Sequence, residues 1–272
     1  MTATTTASSP AAWPTRAFCL QFTVRLGEPE VNLALVRQRL ARLAPAGPAL
    51  VVLPELWGGG FAYDGLEGQA ALTPQLLAAL AAEAGRYGIC LAGSLPEAVA
   101  GASAEERTPA FYNTLYLVNS DGVADSYRKQ RLFAPMGEDR YFRPGGSVRR
   151  ALVAPWGQLA ALICFDLRFP ELATAQVEQG ADLLVVTAQW PRSRREHWRI
   201  LLQARAIENQ VFVVACNACG RIGATDFAGT SMIIAPDGAI LAEAGQEQDS
   251  LAAPLDFARL AEARHLFRTR RC

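Results

Sequence analysis

The sequence predicts an α/β fold with sheets covered by helices, and three observations carry that expectation. Short apolar runs bounded by Gly, Pro, Asn or Asp alternate with amphipathic stretches along the whole chain. No linker or shift in composition interrupts the alternation, so one domain is expected over residues 16–272, after a disordered lead-in at residues 1–15. Several strand ends also carry nucleophilic or ionisable side chains, which is where α/β sheets build their sites.

Ala17 to Val24 alternates as a first strand, and Val31 to Leu43 follows as a helix with Val36, Leu40 and Leu43 on one face. The strand Leu50 to Leu53 leads into Pro54-Glu55-Leu56-Trp57 and a turn at Gly58-Gly59-Gly60. A helix is expected from Pro74 to about Tyr87, then a strand from Ile89 to Gly93. Phe111 to Val118 and Val123 to Tyr127 read as a hairpin turning at Ser120-Asp121-Gly122. A polar loop from Ala134 to Ser147 precedes strands near 148–153 and 158–164. Regular alternation follows, with a helix over 170–179, a strand over 182–187, a helix over 193–209 and a strand over 211–216. Strands near 229–235 and 239–243 turn at Pro236-Asp237-Gly238, and a last strand and short helix end the chain.

Composition narrows the function classes. Lys plus Arg equals Asp plus Glu at 26 each, so no global field draws nucleic acid or anionic lipid, and a small-molecule partner is expected. No apolar run reaches the roughly 20 residues that cross a bilayer, so no membrane partner is expected. Six cysteines lack the density of a disulfide scaffold and point to a reducing, cytoplasmic setting. Met1 to Pro14 lacks the basic and apolar regions of a signal peptide.

Cys164 is the most informative residue. It ends the apolar run Leu159-Ala160-Ala161-Leu162-Ile163, and Pro170 stands a few residues on, where a helix begins. A thiol at a strand-to-helix junction lies near unpaired N–H groups, which favour a thiolate or an oxyanion. Taken alone, such a cysteine is more often part of the core. Two other strand ends supply partners. Glu55 is flanked by apolar residues that hinder its solvation, as a general base near neutral pH requires, although an ordinary loop carboxylate is the plainer reading. Lys129 lies in Arg128-Lys129-Gln130-Arg131, where alternation sends Lys129 and Arg131 to one side and Arg128 to the other. With only His197 and His265 available, and His197 set in a helix beside Trp198, a Cys-His pair has little support. Cys216-Asn217-Ala218-Cys219 has no second pair at zinc spacing, so no metal is expected; the glycine clusters lack P-loop residues and read as turns.

Together these segments resemble the nitrilase superfamily of carbon–nitrogen hydrolases, from about residue 17 onward. The resemblance rests on Leu53-Pro54-Glu55-Leu56, on Tyr127-Arg128-Lys129 with Leu132-Phe133, and on Ile163-Cys164 through Pro170-Glu171-Leu172. Ala204 through Asn209, Gly229-Thr230-Ser231 and Pro236-Asp237-Gly238 follow in family order. It implies a four-layer α-β-β-α sandwich, a homodimer or larger homo-oligomer, and no cofactor. It also implies a Glu-Lys-Cys triad of Glu55, Lys129 and Cys164, with Glu138 as a second pocket glutamate. Cys164 would attack an amide carbonyl and pass through a thioester, with Lys129 and the Phe165 N–H stabilising the oxyanion.

Within the superfamily the chain is most similar to the omega-amidases, which act on terminal amides of 2-oxo acids. Cys164-Phe165-Asp166-Leu167-Arg168, Trp190-Pro191 with Arg194, and His197-Trp198 carry that likeness. True nitrilases resemble Cys-Trp-Glu at the nucleophile, and N-carbamoyl-D-amino-acid hydrolases carry two adjacent arginines where this chain has Leu167-Arg168. Gln189, Trp190 and Arg194 are expected to line the acyl pocket, with Arg194 meeting a substrate carboxylate. The alternatives are another carbon–nitrogen substrate (deaminated glutathione, an N-carbamoyl compound or a nitrile) or a catalytically silent binding member.

Overall fold

The inward and outward faces of the first strands set the architecture. The computed structural model describes residues 13–100, 109–146 and 150–266. β1 (Arg16–Gln21) is followed by α1 (Pro29–Leu43), β2 (Ala49–Val52), α2 (Leu66–Tyr87), β3 (Ile89–Val99), and the hairpin strands β4 (Ala110–Asn119) and β5 (Gly122–Arg128). A short helix, α3 (Glu138–Tyr141), lies in the expected polar loop. Then come β6 (Leu152–Ala154), β7 (Gly157–Ile163), α4 (Pro170–Glu178), β8 (Leu183–Ala188), α5 (Arg195–Asn209) and β9 (Phe212–Asn217). β10 (Cys219–Ile222), β11 (Thr225–Ala228), β12 (Met232–Ile234), β13 (Ile240–Glu243), β14 (Asp249–Pro254) and α6 (Phe257–Leu266) complete the described chain.

Two six-stranded mixed sheets result, in the orders β14-β1-β2-β3-β4-β5 and β13-β12-β9-β8-β7-β6. Each has three parallel strands at its centre, β1-β2-β3 and β7-β8-β9, with antiparallel strands outside. In the first sheet Phe18, Leu20, Val51 and Leu91 pack against Val36 and Leu40 of α1 and Leu76 and Leu80 of α2. The alternate residues, Ala17, Cys19, Leu50, Val52 and Ala92, join the core shared with the second sheet. β1, β2 and β3 meet β8 and β9 face to face, and α4 and α5 cover the far side through Ala173, Val177, Trp198, Leu202 and Ala206. The layers run α-β-β-α, as the resemblance implies. The centre of the second sheet is buried on both faces, so its strands read as continuous apolar runs.

Three local differences from the sequence reading have physical causes. α2 begins eight residues before Pro74, after a 3₁₀ turn at Tyr63–Gly65. Leu66, Ala70 and Thr73 already bury at helical spacing, and that burial outweighs the hydrogen bond that proline removes. The hairpin β10-β11 has no counterpart in the sequence reading, because its four-residue strands are too short to carry a periodic signal. Arg131 does not share the side of Lys129, because β5 stops at Arg128 and the alternation stops with it. Arg131 is exposed and reaches Glu171.

Residues 1–12 of the expected lead-in lie outside the described residues, as do 147 at the end of the polar loop, 148–149 of the strand expected near 148–153 and the segment after 266. Trp13 packs on Phe257 with ring centroids 4.7 Å apart. No helix among the described residues is long and apolar enough to cross a membrane.

Candidate active site

Chain reversal at three strand ends gathers Glu55, Lys129 and Cys164. Glu55 follows β2 in a turn where Leu56 adopts φ 42°, and Cys164 opens a 3₁₀ turn after β7 with φ 48°. Neither residue is glycine, so each position stores strain of about 1–3 kcal/mol, which the surrounding packing must hold. The Leu56 N–H donates to Ser94 Oγ at 2.7 Å, and Leu53, Leu56 and Trp57 enclose the Glu55 turn completely. Lys129 follows β5 directly, its N–H donating to the Asn113 carbonyl at 2.9 Å.

The carboxylates and the lysine form a closed, buried network. Lys129 Nζ donates to Glu55 Oε1 at 2.7 Å and to both oxygens of Glu138 at 2.8 Å. Asn113 Nδ2 bridges the same two acids, at 2.8 Å to Glu55 Oε1 and 3.2 Å to Glu138 Oε1. The backbone N–H of Gln189 caps Glu55 Oε2 at 2.9 Å, and that of Phe133 caps Glu138 Oε2 at 2.7 Å. Glu55, Lys129 and Glu138 are no more than 1% exposed.

Burial dominates the electrostatics. It would lower the Lys129 ammonium, but Glu138 and Glu55 overcome it and hold the lysine well above its ordinary value, so it is charged. Burial raises Glu55 above the usual carboxylate range, with Lys129 opposing and Glu138 adding to the rise. The Cys164 thiol is raised well above the ordinary thiol value, first by burial and then by the Glu55 charge. It therefore rests as a neutral thiol, donating to the Gln189 carbonyl at 3.8 Å.

Asp166, two residues after the thiol, is fully buried and binds four donors. The N–H groups of Gln130 and Arg131 meet Oδ1 at 3.2 and 2.8 Å; the Ile163 N–H and the Tyr127 hydroxyl meet Oδ2 at 3.1 and 2.9 Å. Burial pushes its carboxyl up to about 7 against those donors.

Beside the thiol lies a narrow cleft, lined in part by Lys129, Glu138, Cys164 and Phe165. Gln189, Trp190, Arg168 and Arg194 also line it, and Glu55 stands behind it, bonded to Lys129 and Gln189, so the structure brings the expected residues together. Gln189 is also a strut, its Nε2 donating to the Glu55 carbonyl at 2.9 Å. The Arg168 guanidinium lies over the Trp190 ring at 4.8 Å and touches His197 Nδ1, and Arg194 lies over Phe133 at 5.7 Å. Neither arginine has a carboxylate partner among the described residues. Cys216 and Cys219 are buried free thiols, and no metal-binding cluster occurs among the described residues. Sequence reasoning missed Asn113 and the bracing by Asp166. The only signal for Asn113 was a polar residue inside the apolar strand Phe111-Tyr112-Asn113-Thr114-Leu115.

Residues 16–265 match the carbon–nitrogen hydrolase family. The chain is 36% identical over 248 residues to a 2-oxoglutaramate amidase of Bacillus subtilis, with 90% of this chain and 92% of the relative covered. It is 33% identical over 224 residues to an omega-amidase of Escherichia coli, covering 81% of this chain and 82% of the relative. A superfamily protein from Xanthomonas campestris, solved with an arsenic adduct in its active site, superposes with a TM-score of 0.82 at 28% identity, covering 94% of this chain and 96% of that one. Fold, family match and relatives agree, and the chain belongs to the carbon–nitrogen hydrolase family of the nitrilase superfamily.

Proposed function

We propose that the protein is an amidase that hydrolyses the terminal amide of a small 2-oxo acid to the free acid and ammonia. The observation that carries this reading is a neutral thiol set beside a buried carboxylate, in a cleft also lined by two arginines without a carboxylate partner among the described residues. Arg194 meets the substrate carboxylate, with Arg168 beside it, and Trp190 bounds the acyl chain. The names of the B. subtilis and E. coli relatives support this substrate class.

Glu55 accepts the Cys164 proton as sulfur attacks the amide carbon, forming a C–S bond and an oxyanion. Lys129 and the Phe165 N–H, at the open end of the 3₁₀ turn, stabilise that oxygen. Losing one such donor typically costs about 3–4 kcal/mol. The oxyanion collapses, the C–N bond breaks, and the proton on Glu55 leaves with ammonia. A water then attacks the thioester and gives its proton to Glu55; the C–S bond breaks, the acid departs, and the thiolate recovers the proton. Lys129 keeps its proton throughout, held by Glu138.

Ammonia release decides the matter. Release from 2-oxoglutaramate or 2-oxosuccinamate, absent in Cys164→Ala, is the expected result. Release only from a nitrile, an N-carbamoyl amino acid or deaminated glutathione would replace the substrate, and undiminished release by Cys164→Ala would remove the nucleophile.

A further inference from the structure

The four carboxylate oxygens of the buried network are not equivalent. Glu55 Oε1 is occupied twice, by the Lys129 ammonium and by Asn113 Nδ2. Glu138 Oε1 is occupied by the same two groups, and Glu138 Oε2 by Lys129 and the Phe133 N–H. Glu55 Oε2 alone has a single donor, the backbone N–H of Gln189. That residue's carbonyl is the group to which the Cys164 thiol donates. The backbone of one residue, Gln189, thus touches both the less occupied oxygen of Glu55 and the sulfur.

We infer that Asn113 is a positioning residue that fixes the orientation of the Glu55 carboxylate, engaging Oε1 so that Oε2 is the oxygen that takes the Cys164 proton. This rests on the amidase reading given above and assigns a working atom to its base.

Asn113 suits this task because its amide can be oriented only one way. Both partners of Nδ2 are carboxylates, which accept hydrogen bonds, so the nitrogen and not Oδ1 must face them. The cost of that choice is visible in Oδ1, a buried acceptor with no hydrogen-bond partner among the described residues. The backbone reinforces the arrangement, since the Asn113 carbonyl takes the Lys129 N–H at 2.9 Å. One residue in the middle of β4 therefore sets the lysine by its main chain and both acids by its side chain.

A second donor is needed because two buried carboxylates face one ammonium. A neutral N–H pair offsets part of the remaining negative charge without adding a proton that titrates. The charged and titratable groups facing Glu55 are Lys129 across the network, Glu138 from α3, Cys164 from the second sheet and Tyr63 from the turn before α2. Removing the Asn113 hydrogen bond withdraws support from ionised Glu55, so its proton affinity rises. The acidic limb of the rate profile, which needs Glu55 ionised, then moves to higher pH.

The test compares wild type with Asn113→Ala and the isosteric Asn113→Asp. Steady-state ammonia release from 2-oxoglutaramate and Cys164 alkylation by iodoacetamide are followed from acid to alkaline pH. Asn113 does not line the cleft, so KM should stay within about twofold. Loss of orientation should lower kcat by roughly 100-fold, and the acidic limb should move to higher pH in both assays. Asn113→Asp keeps the shape but adds a like charge, so it should be at least as impaired, and it keeps the test open if the alanine variant fails to fold. Wild-type kcat with an unmoved acidic limb in Asn113→Asp would overturn the inference, as would a rise in KM at constant kcat. Alkylation needs no amide substrate, so a wrong substrate assignment leaves that arm readable, whereas wild type that releases ammonia from no amide would defeat the amidase reading itself.

Discussion

Asp166 Oδ1 accepts the Arg131 backbone N–H at 2.8 Å, tying the turn that opens with Cys164 to the segment that carries Lys129. With the Tyr127 hydroxyl on Oδ2, this carboxyl braces the thiol against the ammonium from below. Its ionisation gives stability a pH dependence. In the fold it keeps its proton up to about 7, against an ordinary 3.8, so the folded state binds the extra proton between those values. The stabilisation is complete below 3.8 and is lost as pH rises through 7. Asp166→Asn cannot titrate, so wild type should gain stability relative to it as pH falls from about 7 to 4. Urea unfolding of both proteins at several pH values measures this, and parallel profiles would contradict it.

Cys164 should behave as a reluctant thiol. Burial and the Glu55 charge hold it above the ordinary 9.0. Its alkylation by iodoacetamide, mapped by peptide mass, should still be accelerating at about pH 9.5, where an unperturbed cysteine has begun to level off. A plateau below pH 8 would indicate a resting thiolate and remove the need for Glu55 as base.

Arg194 should act on binding and not on chemistry. Its guanidinium lines the cleft without a carboxylate partner among the described residues. In Arg194→Ala, KM for 2-oxoglutaramate should rise roughly tenfold or more, with kcat changed only a few-fold. A plain aliphatic amide should be indifferent to the change. Equal KM in both proteins for the oxo-acid amide would take Arg194 out of the site.

Gly93 on β3 is predicted to be intolerant of a methyl group. A Cβ there would stand 2.9 Å from Leu53 Cβ and 2.9 Å from Trp57 Cδ1, the residues on either side of the Glu55 turn. Gly93→Ala should cost about 1–3 kcal/mol of stability by overpacking and should lower kcat by displacing Glu55. Unfolding and turnover measured on one preparation test both, and a stable, fully active variant would show that the turn yields freely.

The strand ends of Glu55 and Cys164 are legible because each closes an apolar run, and that of Lys129 because the turn at Ser120-Asp121-Gly122 marks its strand as half of a hairpin. All three residues meet at the network or its cleft. Glu138 was not legible from local pattern, since its burial depends on a four-residue helix folding back under Phe133. Asn113 escaped for a related reason. Within β4 it is one polar residue, and only the crossing of β4 over the Glu55 turn brings it between two acids. Pro74 misled because proline usually marks a helix start, whereas here the apolar spacing before it decides. Arg131 shows that alternation predicts sidedness only while the strand lasts.

Cys164 and Glu55 stand on different walls of the molecule. Glu55, Asn113 and Lys129 belong to the first sheet, whereas Cys164 and Gln189 extend from β7 and β8 of the second. The site is thus assembled across the shared core, with Ala17, Cys19, Leu50, Val52 and Ala92 contributed by the first sheet and Ala161 and Ala215 in the same cluster. Sliding one wall past the other by a fraction of an ångström would misalign sulfur and carboxylate while leaving each sheet's own hydrogen bonds intact. On the proposed function, the packing between the sheets is therefore the alignment gauge of the site, and activity depends on how the two halves are seated.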